Sequence, residues 1–142
     1  MGCDIHLHTE IKVKGKWLHY SHPCIRRDYD LFCFLAGVHR AGRDITPISE
    51  PRGLPVDATD TTRLDSDVWG DDGHSRSWIN AYEIVQVAAF GAAKSGESWW
   101  ESDTFGFLFG DMWSGFTKYP GQNTRMQRAG VEDIRFVFWF DN

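Results

Sequence analysis

The chain has no excess of basic residues. Its 15 lysines and arginines are outnumbered by 20 acids, giving a formal charge of −5. Counterion release on DNA or RNA therefore has little to act through, and direct nucleic-acid binding is disfavoured. Cysteine is scarce: Cys3, Cys24 and Cys33 are an odd number with no CxxC spacing, which argues against a disulfide framework and for reduced thiols in a cytoplasm. No apolar run reaches membrane-spanning length, and Met-Gly-Cys-Asp-Ile-His has no basic segment leading into an apolar stretch. The expectation is a cytoplasmic protein with no membrane partner. Nucleophile-elbow, Walker-type and dinucleotide fingerprints are also missing.

Aromatic residues are plentiful, at 15% of the chain with seven tryptophans, so the core is expected to be built largely from rings. A length of 142 residues suits a single domain spanning 1–142.

Residues 3–13 alternate with period two. Cys3, Ile5, Leu7, Ile11 and Val13 fall on one face, and Asp4, His6, His8, Glu10 and Lys12 on the other, the pattern of a half-buried strand. Lys14-Gly15 suits a primed turn into a second short strand, Lys16 to Tyr20. A two-residue loop pairs Ile11 with Leu18, Glu10 with His19 and His8 with Ser21. The polar face then gathers His6, His8, Glu10 and His19.

From Asp28 the spacing of Tyr29, Phe32, Leu35 and Ala36 predicts a helix of about ten to twelve residues, capped by Asp28 and ended by Gly42. Residues 44–57 hold three prolines and Gly53 and are expected to form an irregular loop, a candidate functional one. Between Asp57 and Asp72 six aspartates face one basic residue, Arg63, and this stretch is expected as a loop. Asn80 with Glu83 forms a capping-box pattern for a second helix from about Ala81 into the early nineties. Residues 95–123 have no clean period. Residues 134–140 are apolar on both faces apart from Arg135 and predict a central buried strand that pairs with the first. The fold class is thus α+β: a mainly antiparallel sheet with an N-terminal hairpin and a central C-terminal strand, two main helices and long irregular loops.

Four segments carry a resemblance: Met-Gly-Cys-Asp-Ile-His at the start, Pro-Ile-Ser-Glu-Pro-Arg-Gly-Leu-Pro at 47–55, Asp-Gly-His-Ser at 72–75 with Ser77-Trp78, and Val-Phe-Trp-Phe-Asp-Asn at the end. Together they resemble a family of short phage, prophage and bacterial proteins of unknown function. The resemblance implies a setting, the bacterial cytoplasm, rather than an activity. Members of that family often carry a second His two residues after the one matching His74, where this chain has Arg76. Asp4 to Thr9 is also similar to the first-strand HxH motif of the PHP and amidohydrolase metal enzymes. Those are barrels of well over roughly 200 residues, which a chain of this length cannot build.

Two His at i and i+2 on a strand project from one face and can converge on one ion. The metal set predicted here is His6, His8 and His74 with Asp4, for zinc or another divalent metal, with His19 an alternative third ligand. Glu10 or Asp72 is the predicted base of a hydrolase. The plain alternative is a solvated polar strand face, with Glu10 and His19 a cross-strand pair worth a few tenths of a kcal/mol. The leading reading, to which the hydrolase and the structural face are the alternatives, is a phage-type accessory protein that binds a host or defence protein, or a small nucleotide-like ligand. Its surface would comprise Asp65, Asp67 and Asp71, the pair Trp99-Trp100, and Arg52 on the proline-rich loop.

Overall fold

The computed structural model describes residues 2–95 and 125–142. Its centre is a four-stranded antiparallel sheet in the order β2-β1-β4-β3. The strands are β1 Asp4–Val13, β2 Lys16–Ser21, β3 Gly73–Asn80 and β4 Val131–Asp141. The helices are α1 Tyr29–Ala36, α2 Asp60–Trp69, α3 Ala81–Ser95 and α4 Arg125–Arg128, with a 3₁₀ turn Gly70–Asp72 after α2. The α+β class, the N-terminal hairpin and the central C-terminal strand stand as read from the sequence. No helix among the described residues is long and apolar enough to cross a membrane.

β4 is central because it is apolar on both sides. Ile134, Phe136, Phe138 and Phe140 join Ile5 and Leu7 of β1 and Leu31, Phe32 and Leu35 of α1 in the main core, with Ile84 and Val87 of α3. Val137 and Trp139 point the other way and are also fully buried. The polar face of β1 lies on that second side, because directly paired antiparallel residues share a face: His6 pairs with Trp139, His8 with Val137 and Glu10 with Arg135.

The hairpin turn has positive φ at both Lys14 and Gly15, as a type I′ turn requires. Ile11 pairs with Leu18 and Glu10 with His19 as predicted, but Ser21 pairs with Thr9 and not with His8. Tyr20 is an extra residue, a bulge that shifts the register by one.

Three further expectations need correction. α1 stops at Gly37, not Gly42, since Gly37 adopts the left-handed conformation (φ 73°) and its N–H returns to the Cys33 carbonyl. The aspartate-rich stretch is a helix, α2, capped by the Thr59 hydroxyl. It shows no apolar period because the residues it buries are Thr62 and Ser66, which lie against polar partners. His74, expected on a loop before the second helix, instead lies in β3. The capping box at α3 forms reciprocally, with Asn80 and Glu83 each accepting from the other's backbone N–H at 3.0 Å.

Candidate metal centre

β1 presents His6, His8 and Glu10 toward α2, and this is not a solvated face. His8 and Glu10 are 1% and 0% exposed. A charge or imidazole taken out of water must be paired, and the two residues are paired in different ways.

Glu10 is consumed by structure. Its carboxylate accepts from Arg135 Nε at 2.7 Å, the Thr59 backbone N–H at 2.9 Å, the Thr59 hydroxyl at 2.6 Å and the Thr62 hydroxyl at 2.8 Å. Burial pushes its pKa up, yet these donors together hold it below the usual carboxylate value. Arg135 in turn donates to Asp57 at 2.7 Å and stacks 4.0 Å from the Trp17 ring. A carboxylate ionised and saturated in this way cannot serve as a general base, so Glu10 does not have the base role predicted for it. Its work is to pin the first turn of α2 to the sheet.

His8 meets three polar neighbours. Its Nε2 lies 2.7 Å from Asp65 Oδ2, its Nδ1 lies 2.8 Å from His19 Nε2, and its ring stacks on that of His22 at 3.9 Å. Burial pushes the His8 pKa down to about 4, outweighing the Asp65 hydrogen bond that raises it. The same cause lowers His19. At neutral pH His8 is therefore uncharged. Because a carboxylate only accepts, His8 Nε2–H donates to Asp65, and His8 Nδ1 accepts from His19 Nε2–H.

His22 enters this cluster through the bulge. His19 and His22 are three residues apart, which in a regular strand sets them on opposite faces. The extra residue at Tyr20 reverses that parity, so that beyond the last pair, Thr9 with Ser21, the next residue His22 turns to the face of His8 and stacks on it. One ligand atom each from His8, His22 and Asp65 lie within 4.8 Å of one another, and this group can hold a metal ion. His8 is buried, Asp65 half-buried and His22 exposed, so the group opens to solvent on one side.

Comparison with protein-family models, curated proteins and solved structures finds no match to the chain. Any functional reading rests on the residues themselves.

The predicted ligand set is only partly assembled. His6 shares the face of His8 but is bonded to Asp141 at 2.6 Å and packs against Trp69, ring centres 4.1 Å apart. Asp4 forms a two-pronged ion pair with Arg27, at 3.0 and 3.1 Å, that lowers its pKa. His74 pairs with Phe140 and so lies on the opposite face of the sheet from His6 and His8. Its ring nitrogens engage Ser75 at 3.0 Å and Asn142 at 3.2 Å. The His6, His8, His74 convergence is therefore corrected to His8, His22 and Asp65.

Of the remaining predicted residues, Asp65 turns inward to His8, whereas Asp67, Asp71 and Asp72 are exposed. Arg52 forms a two-pronged pair with Glu83 at 2.7 and 2.6 Å and lies 4.9 Å from the Trp78 ring, which fastens the proline-rich loop to β3 and α3. Trp99 and Trp100 lie outside the described residues.

Beside the His cluster, between β2 and the start of α2, lies a cavity of about 340 Å³. Trp17, His19, Asp57, Thr59, Asp60 and Thr61 line it. His19 belongs to both the cavity wall and the His cluster. Thr61 of the cavity wall precedes Asp65 by one helical turn on α2, so cavity and cluster adjoin.

Proposed function

We propose that this protein is a divalent-metal-dependent hydrolase whose ion is held by His8, His22 and Asp65. The observation that carries this reading is the approach of three ligand atoms, from a strand, the segment after a hairpin and a helix, to within 4.8 Å of one another. Two imidazoles and a carboxylate suit zinc or another divalent transition metal, and three protein ligands leave a position for water, as catalytic sites require. A bound water activated in this way has a pKa near 7. His22 supplies the solvent-facing side of the group, and the neighbouring cavity supplies room for a substrate. No lysine or arginine lines that cavity, and Asp57 and Asp60 do, so the substrate is uncharged or cationic rather than a phosphate ester. An amide or ester bond fits this description. Three free thiols, two of them buried, favour a reducing compartment such as a cytoplasm.

The test is turnover of p-nitrophenyl acetate and of a small amide by protein stripped with chelator and then reloaded with zinc, cobalt or manganese. The proposal expects activity that returns with metal and is lost in His22→Ala. Equal rates with and without metal, or stoichiometric metal binding with no turnover of either substrate, would remove the hydrolase reading.

A further inference from the structure

α2 has a second, outward face, of which the hydrolase reading uses only Asp60, at the cavity edge. Its inner side buries Thr62 and Ser66 and turns Asp65 toward His8. Outside, Leu64 and Val68 are 67% and 76% exposed. They are one helical turn apart and so form a short aliphatic ridge. Asp60 and Asp67 flank the ridge on the helix, and Asp71 and Asp72 follow in the 3₁₀ turn. Among the described residues no ion pair reaches any of these four carboxylates. Arg63, the one cation of the stretch, spends its guanidinium on the Pro55 and Val56 carbonyls, 3.3 Å from each.

We propose that this face of α2 is a docking surface for a basic, aliphatic helix of another protein. The argument is charge complementarity around an unpartnered apolar ridge. Four carboxylates with no ion pair among the described residues repel nucleic acid and anionic membranes. They also repel the same face of a second copy, since like charges would oppose one another across the interface. A partner must bring cations to the rim and aliphatic side chains to the centre. A helix laid along α2 can set its own i, i+4 ridge beside Leu64 and Val68, which makes a helical occupant the simplest fit. The acid-rich stretch of the sequence thereby gains a role beyond the one ligand, Asp65, that it lends to the proposed ion site.

The probe is a fluorescein-labelled amphipathic peptide of about 18 residues with leucine at helical spacing and lysine elsewhere, titrated with the full chain and followed by anisotropy. A second peptide has the same composition but a scrambled order that destroys the leucine stripe. The proposal expects the ordered peptide to bind at least about tenfold more tightly than the scrambled one, with that preference lost in a Leu64→Ser, Val68→Ser double variant. Both positions are exposed, so the variant keeps its fold, which circular dichroism checks. An Asp67→Lys, Asp71→Lys variant should weaken binding as well. Equal binding of the two peptides, or unchanged binding by the serine variant, would reduce the effect to bulk charge and overturn the proposal. So would sedimentation of the wild type as a dimer that the serine variant dissolves, since the ridge would then be covered by a second copy.

Discussion

Acidification should expose how His8 is held. In the folded chain its pKa is near 4, against an ordinary value of 6.5. The unfolded chain therefore binds more protons between those values, and stability must fall as pH drops through that window. Working the linkage for one such group gives a loss of about 2 kcal/mol between pH 7 and pH 5, approaching about 3 kcal/mol at pH 4. His19, whose folded pKa is lowered by the same burial, adds its own loss in this window, so the His8 share is read by difference from a His8 variant. Glu10, Asp57 and Glu83, whose folded pKa values are lowered, add their own losses only as pH falls through the ordinary carboxylate range below about 5. Urea unfolding in the presence of chelator, at half-unit steps from pH 7.5 to 5, measures the slope directly. In His8→Gln the slope should fall by the His8 share and leave that of His19, whatever the variant's stability at pH 7. A wild-type curve flat over this range, or a variant with the wild-type slope, would refute the claim that burial keeps this imidazole neutral.

Replacing Glu10 with Gln removes the anion from a buried group that also contains Arg135. It should cost roughly 3 to 5 kcal/mol, read as a large fall in melting temperature. Deleting Tyr20 removes the bulge and restores simple alternation, so His22 moves to the other face. The protein should stay folded by circular dichroism but bind zinc at least about tenfold more weakly. His6→Ala and His74→Ala should each leave zinc affinity within about twofold of wild type, well under the energy of one lost ligand. A larger loss in either would show that the ion uses the ligands the sequence alone suggested.

Local rules carried the sheet. Period-two alternation in β1, the Lys14-Gly15 turn and the doubly apolar run of β4 each have one physical solution, and the strands adopt it. α3 was legible for the same reason, through a capping box that closes at both ends. α2 was hidden because amphipathic patterning signals a helix only when the buried side is apolar, and here the buried side is Thr62 and Ser66 over Glu10 and Arg76. The candidate site was half visible. His8 stood out from its strand position, but Asp65 required knowing that the acidic stretch is a helix, and His22 required a bulge that nothing in the local sequence announces. His74 misled because its neighbours suggest a loop while its pairing with Phe140 sends it to the far side of the sheet.

The function proposed for this protein depends on His8, His22 and Asp65 holding one ion between them. Elemental analysis of untagged protein after zinc loading and buffer exchange, paired with competition against a chromogenic chelator, tests it most directly. One equivalent of zinc is expected in the wild type, with affinity reduced at least about tenfold in both His22→Ala and Asp65→Asn. Less than a tenth of an equivalent in the wild type, or the same affinity in all three proteins, would contradict it.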